Sequence, residues 1–242
     1  MFIFCKPGVF GLVKGRQYIT GLVQWVMEWS HDFAYAVGLI ATDGCLSKDG
    51  RHIDLTSKDL EQIQNFKSIL KASNKIGIKH CGKGIEKAYY RIQLGNVKLY
   101  RFLMSLGITP HKSKTIGKLN IPDKYFGDFL RGCFDGDGCT YSYWDKRWKS
   151  SFMLYTVFVS ASEAFLMWLK GKIYELYGIT GKINYSEKSK YQLKYAKGSS
   201  LVLLSKIYYL DKLVCLKRKR FKIDQSLGII AEQARVVKLV YT

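Results

Sequence analysis

Acidic residues are scarce in this 242-residue sequence, in which 19 Asp and Glu stand against 39 Lys and Arg, for a formal net charge of +20. A basic excess of this size indicates a polyanionic partner, and we expect nucleic acid. The basic residues alternate with aromatic and apolar ones, as in residues 182–198 (KINYSEKSKYQLKYAKG), and do not form a disordered tail. Because 48% of the residues are hydrophobic and 14% aromatic, the chain can form a packed core.

Metal-binding cysteine and histidine patterns are missing as well. The six cysteines form no CxxC motif and the four histidines have no paired spacing, so a zinc site is not expected. The first residues are too interrupted for a signal core, and no run approaches the roughly 18 apolar residues of a membrane span. We therefore expect an intracellular, reducing location without a membrane, either a bacterial cytoplasm or an organelle matrix.

The sequence contains an internal repeat. Residues 33–46 (FAYAVGLIATDGCL) correspond to residues 128–140 (DFLRGCFDGDGCT) at an offset of 94, which aligns Gly38 with Gly132, Asp43 with Asp137 and Gly44 with Gly138. After each copy the patterns indicate an alternating strand, a helix, two basic strands around a turn and a closing helix. The sequence therefore predicts an α+β fold built from two pseudo-symmetric αββαββα repeats.

The repeat divides the chain into four parts. We expect an N-terminal extension in residues 1–30, a first repeat in 31–120, a second repeat in 121–225 and a C-terminal helical tail in 226–242. In the extension, an apolar pattern at helical spacing predicts a helix that packs against the first repeat; it consists of Leu22, Val23, Val26 and Trp29.

Small residues recur at a spacing of four in both motif helices. Gly38 and Thr42 form one such pair, and Gly132 and Gly136 form the other. Residues four apart share one face of a helix, so two such faces can bring the helix backbones very close together. The pattern predicts a central seam between the two motif helices.

The seam would bring two carboxylates together. Asp43 and Asp137 occupy the ends of the two motif helices, and they would repel each other unless cations lay between them. Two carboxylates together with water and phosphate oxygens suit Mg²⁺. Asp135 aligns with Ala41 and is not predicted to be a ligand.

The segments AVGLIATDG (36–44) and LRGCFDGDG (130–138) resemble the two motifs of a LAGLIDADG homing endonuclease in its monomeric, two-repeat form. The resemblance implies that Asp43 and Asp137 are catalytic and bind two or more Mg²⁺ ions, which Mn²⁺ or Ca²⁺ can replace in binding. It also implies that the two sheets form a saddle on DNA. Lys197 matches the place of a basic catalytic residue that this family carries after the fourth strand of a repeat.

The predicted strands supply the surface that would bind DNA. Arg91 and Gln93 alternate with apolar residues in one strand, as do Gln192 and Lys194 in another, so these four are predicted to face bases. The other candidate DNA contacts, most of them nearer the turns and suited to phosphates, are Arg51, Lys83, Lys87, Tyr143, Arg147, Lys182, Lys188 and Lys190. Basic runs close both halves near the site and include Lys112, Lys114, Lys217 and Arg218.

These observations predict a monomeric, metal-dependent, sequence-specific endonuclease. It would cut both strands of a long, pseudo-palindromic DNA target and promote mobility of its host intron. Two alternatives use the same basic saddle: an RNA maturase that binds its intron RNA, and a catalytically inactive DNA-binding regulator. The presence of both Asp43 and Asp137 favours the enzyme, because converging carboxylates without a metal would weaken phosphate binding.

Overall fold

The computed structural model describes residues 16–19, 22–25, 27–81, 87–148, 151–186 and 190–240. Two strands precede the first repeat: β1 (Arg16–Ile19) and β2 (Leu22–Trp25). The first repeat comprises α1 (His31–Thr42), β3 (Gly44–Leu46), β4 (His52–Ser57), α2 (Leu60–Ile69), β5 (Gly77–Cys81), β6 (Lys87–Gly95) and α3 (Val97–Ser105). The second comprises α4 (Phe126–Asp137), β7 (Gly138–Trp144), β8 (Phe152–Ser160), α5 (Glu163–Tyr177), β9 (Lys182–Ser186), β10 (Lys190–Tyr195) and α6 (Lys197–Ile207). Helix α7 (Lys217–Val240) follows.

Each repeat forms one antiparallel sheet of four strands. The strand orders are β3-β4-β6-β5 and β7-β8-β10-β9, which are equivalent. Along β4 the residues alternate between buried and partly exposed, so one face of the sheet packs on helices and the other is open. The predicted fold of two αββαββα repeats is confirmed.

The motif helices α1 and α4 pack against each other at the centre of the molecule. Every residue of α1 from Phe33 to Ala41 is buried, because the helix lies between the other motif helix and the sheets. A Cβ atom added to Gly132 would lie 2.1 Å from the carbonyl oxygen of Tyr35, and one added to Gly38 would lie 2.2 Å from that of Phe129. The backbones of the two helices are therefore in direct contact.

The other two residues predicted for the seam also lie on this contact. A Cβ atom at Gly136 would lie 2.1 Å from the Oγ1 atom of Thr42. The Thr42 hydroxyl donates to the carbonyl oxygen of Gly38 within its own helix, at 3.1 Å. Thr42 fits at the seam because Gly136, which faces it on α4, has no side chain.

The N-terminal flanking segment differs from the prediction, whereas the C-terminal segment forms the predicted helix with an earlier start. Residues 22–25 form the second strand of an antiparallel hairpin with β1, and not a helix, because Val23 and its neighbours Tyr18 and Ile19 favour strands. Trp29 packs as expected on the first repeat, with ring contacts to Phe33 and Phe102, and it also stacks on Tyr125 of the second repeat. Val26 lies outside the described residues. The C-terminal helix begins at Lys217, well before residue 226, since the intervening residues are good helix formers.

No helix in the described part of the chain has the length and apolar character needed to cross a membrane.

Candidate active site and nucleic-acid interface

Two aspartates lie at the C-terminal ends of the packed motif helices. Asp43 caps α1, and Asp137 is the last residue of α4. Burial and, to a smaller extent, the charge of Asp137 raise the pKa of Asp43 to about 6. Burial also raises the pKa of Asp137, against the opposing charges of three lysines. The fold thus holds two carboxylates close together and partly desolvated, which is unfavourable without a cation.

An amide side chain orients one of the two carboxylates. The Nε2 atom of Gln62 donates to Oδ2 of Asp43 at 2.9 Å, and the Gln62 oxygen accepts a hydrogen bond from the Ser57 hydroxyl, also at 2.9 Å. Gln62 is the third residue after the N-cap of α2, and Phe165 has the same place after the N-cap of α5. A phenyl ring cannot donate to Asp137, so the two halves of the site differ.

A lysine lies at the end of each motif helix; Lys112 is buried and Lys219 is partly buried. The Nζ atom of Lys112, whose residue is only 4% exposed, donates to the carbonyl oxygen of Thr42 at 3.0 Å. The Nζ atom of Lys219 lies 2.7 to 3.1 Å from the carbonyl oxygens of Phe134, Asp135, Gly136 and Gly138. Burial lowers the pKa of both lysines, while neighbouring carboxylates oppose that shift. Each positive charge sits where unpaired helix carbonyls concentrate negative charge.

A cavity of about 180 Å³ opens beside Asp137. Its wall includes Thr42, Lys112 and Lys190, so it has polar groups from both halves. No group of three or more His, Cys, Asp and Glu side chains capable of holding a metal occurs among the described residues. Mg²⁺ typically needs only one or two protein carboxylates when substrate phosphates complete its shell. The Asp43–Asp137 pair fits such an ion when substrate phosphates supply further ligands.

Lys197 does not lie at this site, contrary to the prediction from the sequence. It is the first residue of α6 and lies beyond the end of β10, where Tyr195 pairs with Thr156 of β8. Asp137 directly precedes Gly138, which pairs with Phe158. Measured along the sheet, Lys197 lies about five residues, or about 16 Å, beyond the position that is level with Asp137. A lysine side chain cannot span that distance. Lys190, at the opposite end of β10, is the residue near Asp137.

Lys219 is the functional candidate that the sequence analysis missed. It lies in the basic run KRKR, of which only Lys217 and Arg218 were predicted to lie near the site. Because α7 begins at Lys217, Lys219 is the member of the run that turns toward α4, whereas Arg218 pairs at 2.6 Å with Asp59, the N-cap residue of α2. The repeated position of a basic run after each closing helix was the available signal.

The open face of the first sheet carries a polar cluster. Arg91 and Gln93 of β6 are both outward of their buried neighbours Ile92 and Leu94. Asp54 of β4 lies between them: its Oδ1 atom accepts from Nε and Nη2 of Arg91, at 2.8 and 2.6 Å.

The open face of the second sheet is aromatic. Tyr141 stacks on Tyr155 with ring centroids 5.0 Å apart, and Tyr143 extends the stack. The Nζ atom of Lys194 lies 4.2 Å from the centroid of the Tyr155 ring. Gln192 shares the outward orientation of Lys194, since Leu193 and Tyr195 between and beyond them are buried.

The remaining candidate DNA contacts are placed as follows. Arg51 is exposed in the turn between β3 and β4, and Lys182 is exposed opposite Lys194 on the second sheet. Arg147 is exposed after β7 and forms an ion pair with Asp145 at 3.0 Å. Lys83 and Lys188 lie outside the described residues, as does the side chain of Lys87.

No protein-family model and no curated protein matches this sequence. Solved structures do match. The homing endonuclease I-WcaI bound to its DNA recognition sequence has a TM-score of 0.59 and 12% identity, over 82% of this chain and 88% of that one. The I-LtrWI LAGLIDADG homing endonuclease bound to target DNA has a TM-score of 0.54 and 12% identity, over 84% and 91%. This is the LAGLIDADG fold.

The LAGLIDADG fold is not confined to homing endonucleases among the matches. The N-terminal LAGLIDADG domain of DUF199/WhiA matches with a TM-score of 0.52 and 18% identity, over 82% of this chain and 88% of that one. At such identities the likeness shows the fold alone. The chemistry depends on the residues of this chain.

Proposed function

We propose that this chain is a metal-dependent endonuclease that cuts both strands of a specific, long duplex DNA target and thereby promotes mobility of its host intron. The observation that carries the proposal is the convergence of Asp43 and Asp137 at the ends of helices whose backbones touch. Burial and mutual repulsion raise the pKa of Asp43 to about 6, so this arrangement is unfavourable by itself. A protein that only binds DNA has no use for it.

The two aspartates would hold divalent metal, with Mg²⁺ as the expected ion. When bound, such an ion lowers the pKa of an attacking water and stabilises the charge on the departing 3′ oxygen. Gln62 fixes the orientation of the Asp43 carboxylate through its 2.9 Å hydrogen bond. Phe165 gives Asp137 no such partner, so the two strands of the target would meet different surroundings.

Lys112 and Lys219 would act on the scissile phosphates. Both ammonium groups are hydrogen-bonded to backbone carbonyl oxygens at the ends of the motif helices and so are held in place without DNA. Positive charge that is already positioned stabilises a developing negative charge without reorganisation. Lys190 adds a third positive charge beside Asp137.

The two sheets would lie in the major groove on either side of the cleavage site. Their open faces carry donors suited to base edges, on Arg91, Gln93, Gln192 and Lys194. Arg51, Arg147 and Lys182 are exposed and would contact phosphates, which position a protein without specifying sequence. Two structures that share the fold are homing endonucleases bound to their target DNA, and the net charge of +20 agrees with such a partner. Because one chain provides both halves, we propose that it acts as a monomer.

The test is a selection for binding and cleavage from a library of random duplexes, followed by assays of Asp43→Asn and Asp137→Asn on the selected target. Each variant should lose double-strand cleavage in Mg²⁺ and keep DNA binding, since the sheets are untouched. Asp211→Asn, at an exposed position, is the control and should cut like the parent.

Retention of double-strand cleavage by both variants would show that the site is misassigned. If the parent protein selects no DNA but binds the folded RNA of its intron tightly, the maturase replaces the endonuclease. If it selects DNA and cuts none in Mg²⁺ or Mn²⁺, the chain is a DNA-binding protein without catalytic activity.

A further inference from the structure

The open face of the first sheet carries a carboxylate in a chain whose net charge is +20. Asp54 lies on β4 opposite Gln93 of β6, and the next outward residue, Thr56, lies opposite Arg91. The Oδ1 atom of Asp54 accepts two hydrogen bonds from Arg91, and the Oδ2 atom of Asp54 accepts one from Gln93 at 3.3 Å. Both oxygens are thus engaged with the two residues proposed to read bases.

The second sheet has no carboxylate at this place. Asp54 lies between Cys45 of β3 and Gln93 of β6, and Val157 lies between Cys139 of β7 and Lys194 of β10 in the same register. The fold therefore accepts an apolar residue at the position. What Asp54 provides must be particular to the first half.

Asp54 restricts the guanidinium group of Arg91. The contacts at 2.8 and 2.6 Å use the Nε–H group and one N–H of Nη2, although the side chain as a whole is 40% exposed. The N–H groups of Nη1 and the second N–H of Nη2 remain, and together they form a fork. A guanidinium fork matches the O6 and N7 atoms of guanine in the major groove. An arginine already held in one orientation loses less conformational entropy when it binds.

The charge of Asp54 acts in the opposite direction on DNA in general. A carboxylate near a duplex is repelled by the phosphates, whatever the base sequence. The Asp54 side chain is 14% exposed on the face that would bind the duplex. Near base edges it is favourable only beside donors, such as the N4 amino group of cytosine. Asp54 should therefore weaken binding to all DNA while strengthening the preference for one base pair.

We infer that Asp54 is a specificity-determining residue that fixes Arg91 for one G·C pair in the half-site under the first sheet, and that the second sheet has no counterpart. The inference rests on the part of the proposed function in which the sheets bind specific duplex DNA, and it does not depend on cleavage.

The test is a binding selection from random duplexes without divalent metal, read by sequencing. With Asp54→Ala, the preference for G·C at one position should fall by about 5- to 150-fold, the range of one bidentate base contact. Affinity for random DNA should rise at the same time, because a negative charge is removed. Arg91→Lys keeps the charge but lacks the fork, so it should lose preference at the same position without that rise.

Asp224→Ala is the matched control. Asp224 pairs with Arg220 on α7 at 2.8 Å, so this change removes the same charge from the same kind of ion pair away from the sheet faces. It should leave the base preference at every position as in the parent. Thermal unfolding of each variant shows whether it is folded. If Asp54→Ala does not fold, Arg91→Lys still tests the inference.

An unchanged preference in folded Asp54→Ala overturns the inference, as does a loss at different positions in the two variants. Both outcomes leave the proposed function intact. If the parent selects no sequence at all, the proposed function falls and the inference with it. A parent that selects DNA without cutting it overturns only the catalytic part of the proposal.

Discussion

The contact between the motif helices makes a sharp prediction for Gly132→Ala. The added Cβ atom would lie 2.1 Å from the Tyr35 carbonyl oxygen and 3.0 Å from Cα of Gly38. Atoms in ordinary contact are about 3.5 Å apart, so the two helices must separate by on the order of 1 Å. Neither neighbour is the end of a flexible side chain, and every residue of α1 from Phe33 to Ala41 is buried, so the helix has little room to move.

The loss of stability in Gly132→Ala follows from that separation. Overpacking in a core typically costs about 1–3 kcal/mol, and separating two helices by 0.5–1 Å also loses about a quarter to a half of the dispersion energy at the contacts that open. We expect Gly132→Ala to lower the free energy of unfolding by about 3 kcal/mol or more. For a chain of this length that corresponds to a fall in Tm of about 6–12 °C.

Gly171→Ala is the control, because it makes the same substitution in a helix with open space. Gly171 lies inside α5, and an added Cβ atom there meets nothing within 4 Å. Alanine is favoured over glycine in a helix by about 1 kcal/mol, so this variant should unfold about 2–4 °C above the parent. Calorimetry on the metal-free proteins measures both shifts. A Gly132→Ala protein at least as stable as the parent would refute the backbone contact.

Three other predictions concern the site. In metal-free protein, Asp43→Asn should raise the free energy of unfolding. The Asp43 carboxyl group, whose pKa is raised from 3.8 to about 6, does not destabilise the fold below pH 3.8 and destabilises it fully above pH 6. The gain in denaturant unfolding should be at most about 3 kcal/mol near pH 7.5 and about 1 kcal/mol near pH 4.5, whereas Asp211→Asn should show none. Lys219→Met should slow cleavage by about 10²-fold or more at saturating DNA, because it removes a fixed positive charge, and Lys219→Arg should recover part of the rate. Lys190→Met should slow one strand more than the other, so that nicked plasmid accumulates; equal slowing of both strands would show that its charge does not act through Asp137.

The fold could be predicted from the sequence because the repeat preserves what the backbone requires. Only glycine fits where α1 and α4 touch, so Gly38 and Gly132 mark the seam in both copies. Asp43 and Asp137 then follow at fixed distances along their helices. Local spacing was sufficient for these residues, because each lies within or at the end of a single element.

Lys219 and Lys197 show where such reasoning fails. The inward residue of the run KRKR depends on where α7 begins, since successive residues of a helix point about 100° apart. The place of Lys197 depends on the direction in which β10 runs past the site, which the spacing from the preceding strand does not reveal. The N-terminal extension failed for a third reason: four apolar residues in a short segment fit a helix and a strand almost equally well.

The contacts of the sheet faces lie further still from sequence reasoning. Alternation places Arg91 and Gln93 outward, but the partner that holds them comes from a different strand, Asp54 of β4. Its position depends on the register between β4 and β6, which are separated in sequence by a helix and another strand. Pairing across that distance is fixed by the packed fold and not by local pattern.

The two halves are alike at the seam and differ on the open faces. At the seam a larger side chain in either copy would force the other helix away, and both copies have small residues there. On the open faces no such coupling exists, and Asp54 is replaced by Val157 at an equivalent register. Near the carboxylates, the amide of Gln62 is likewise replaced by the ring of Phe165. A duplex that fits both open faces must therefore offer different base edges to each, so the target should be symmetric in length and spacing but not in sequence.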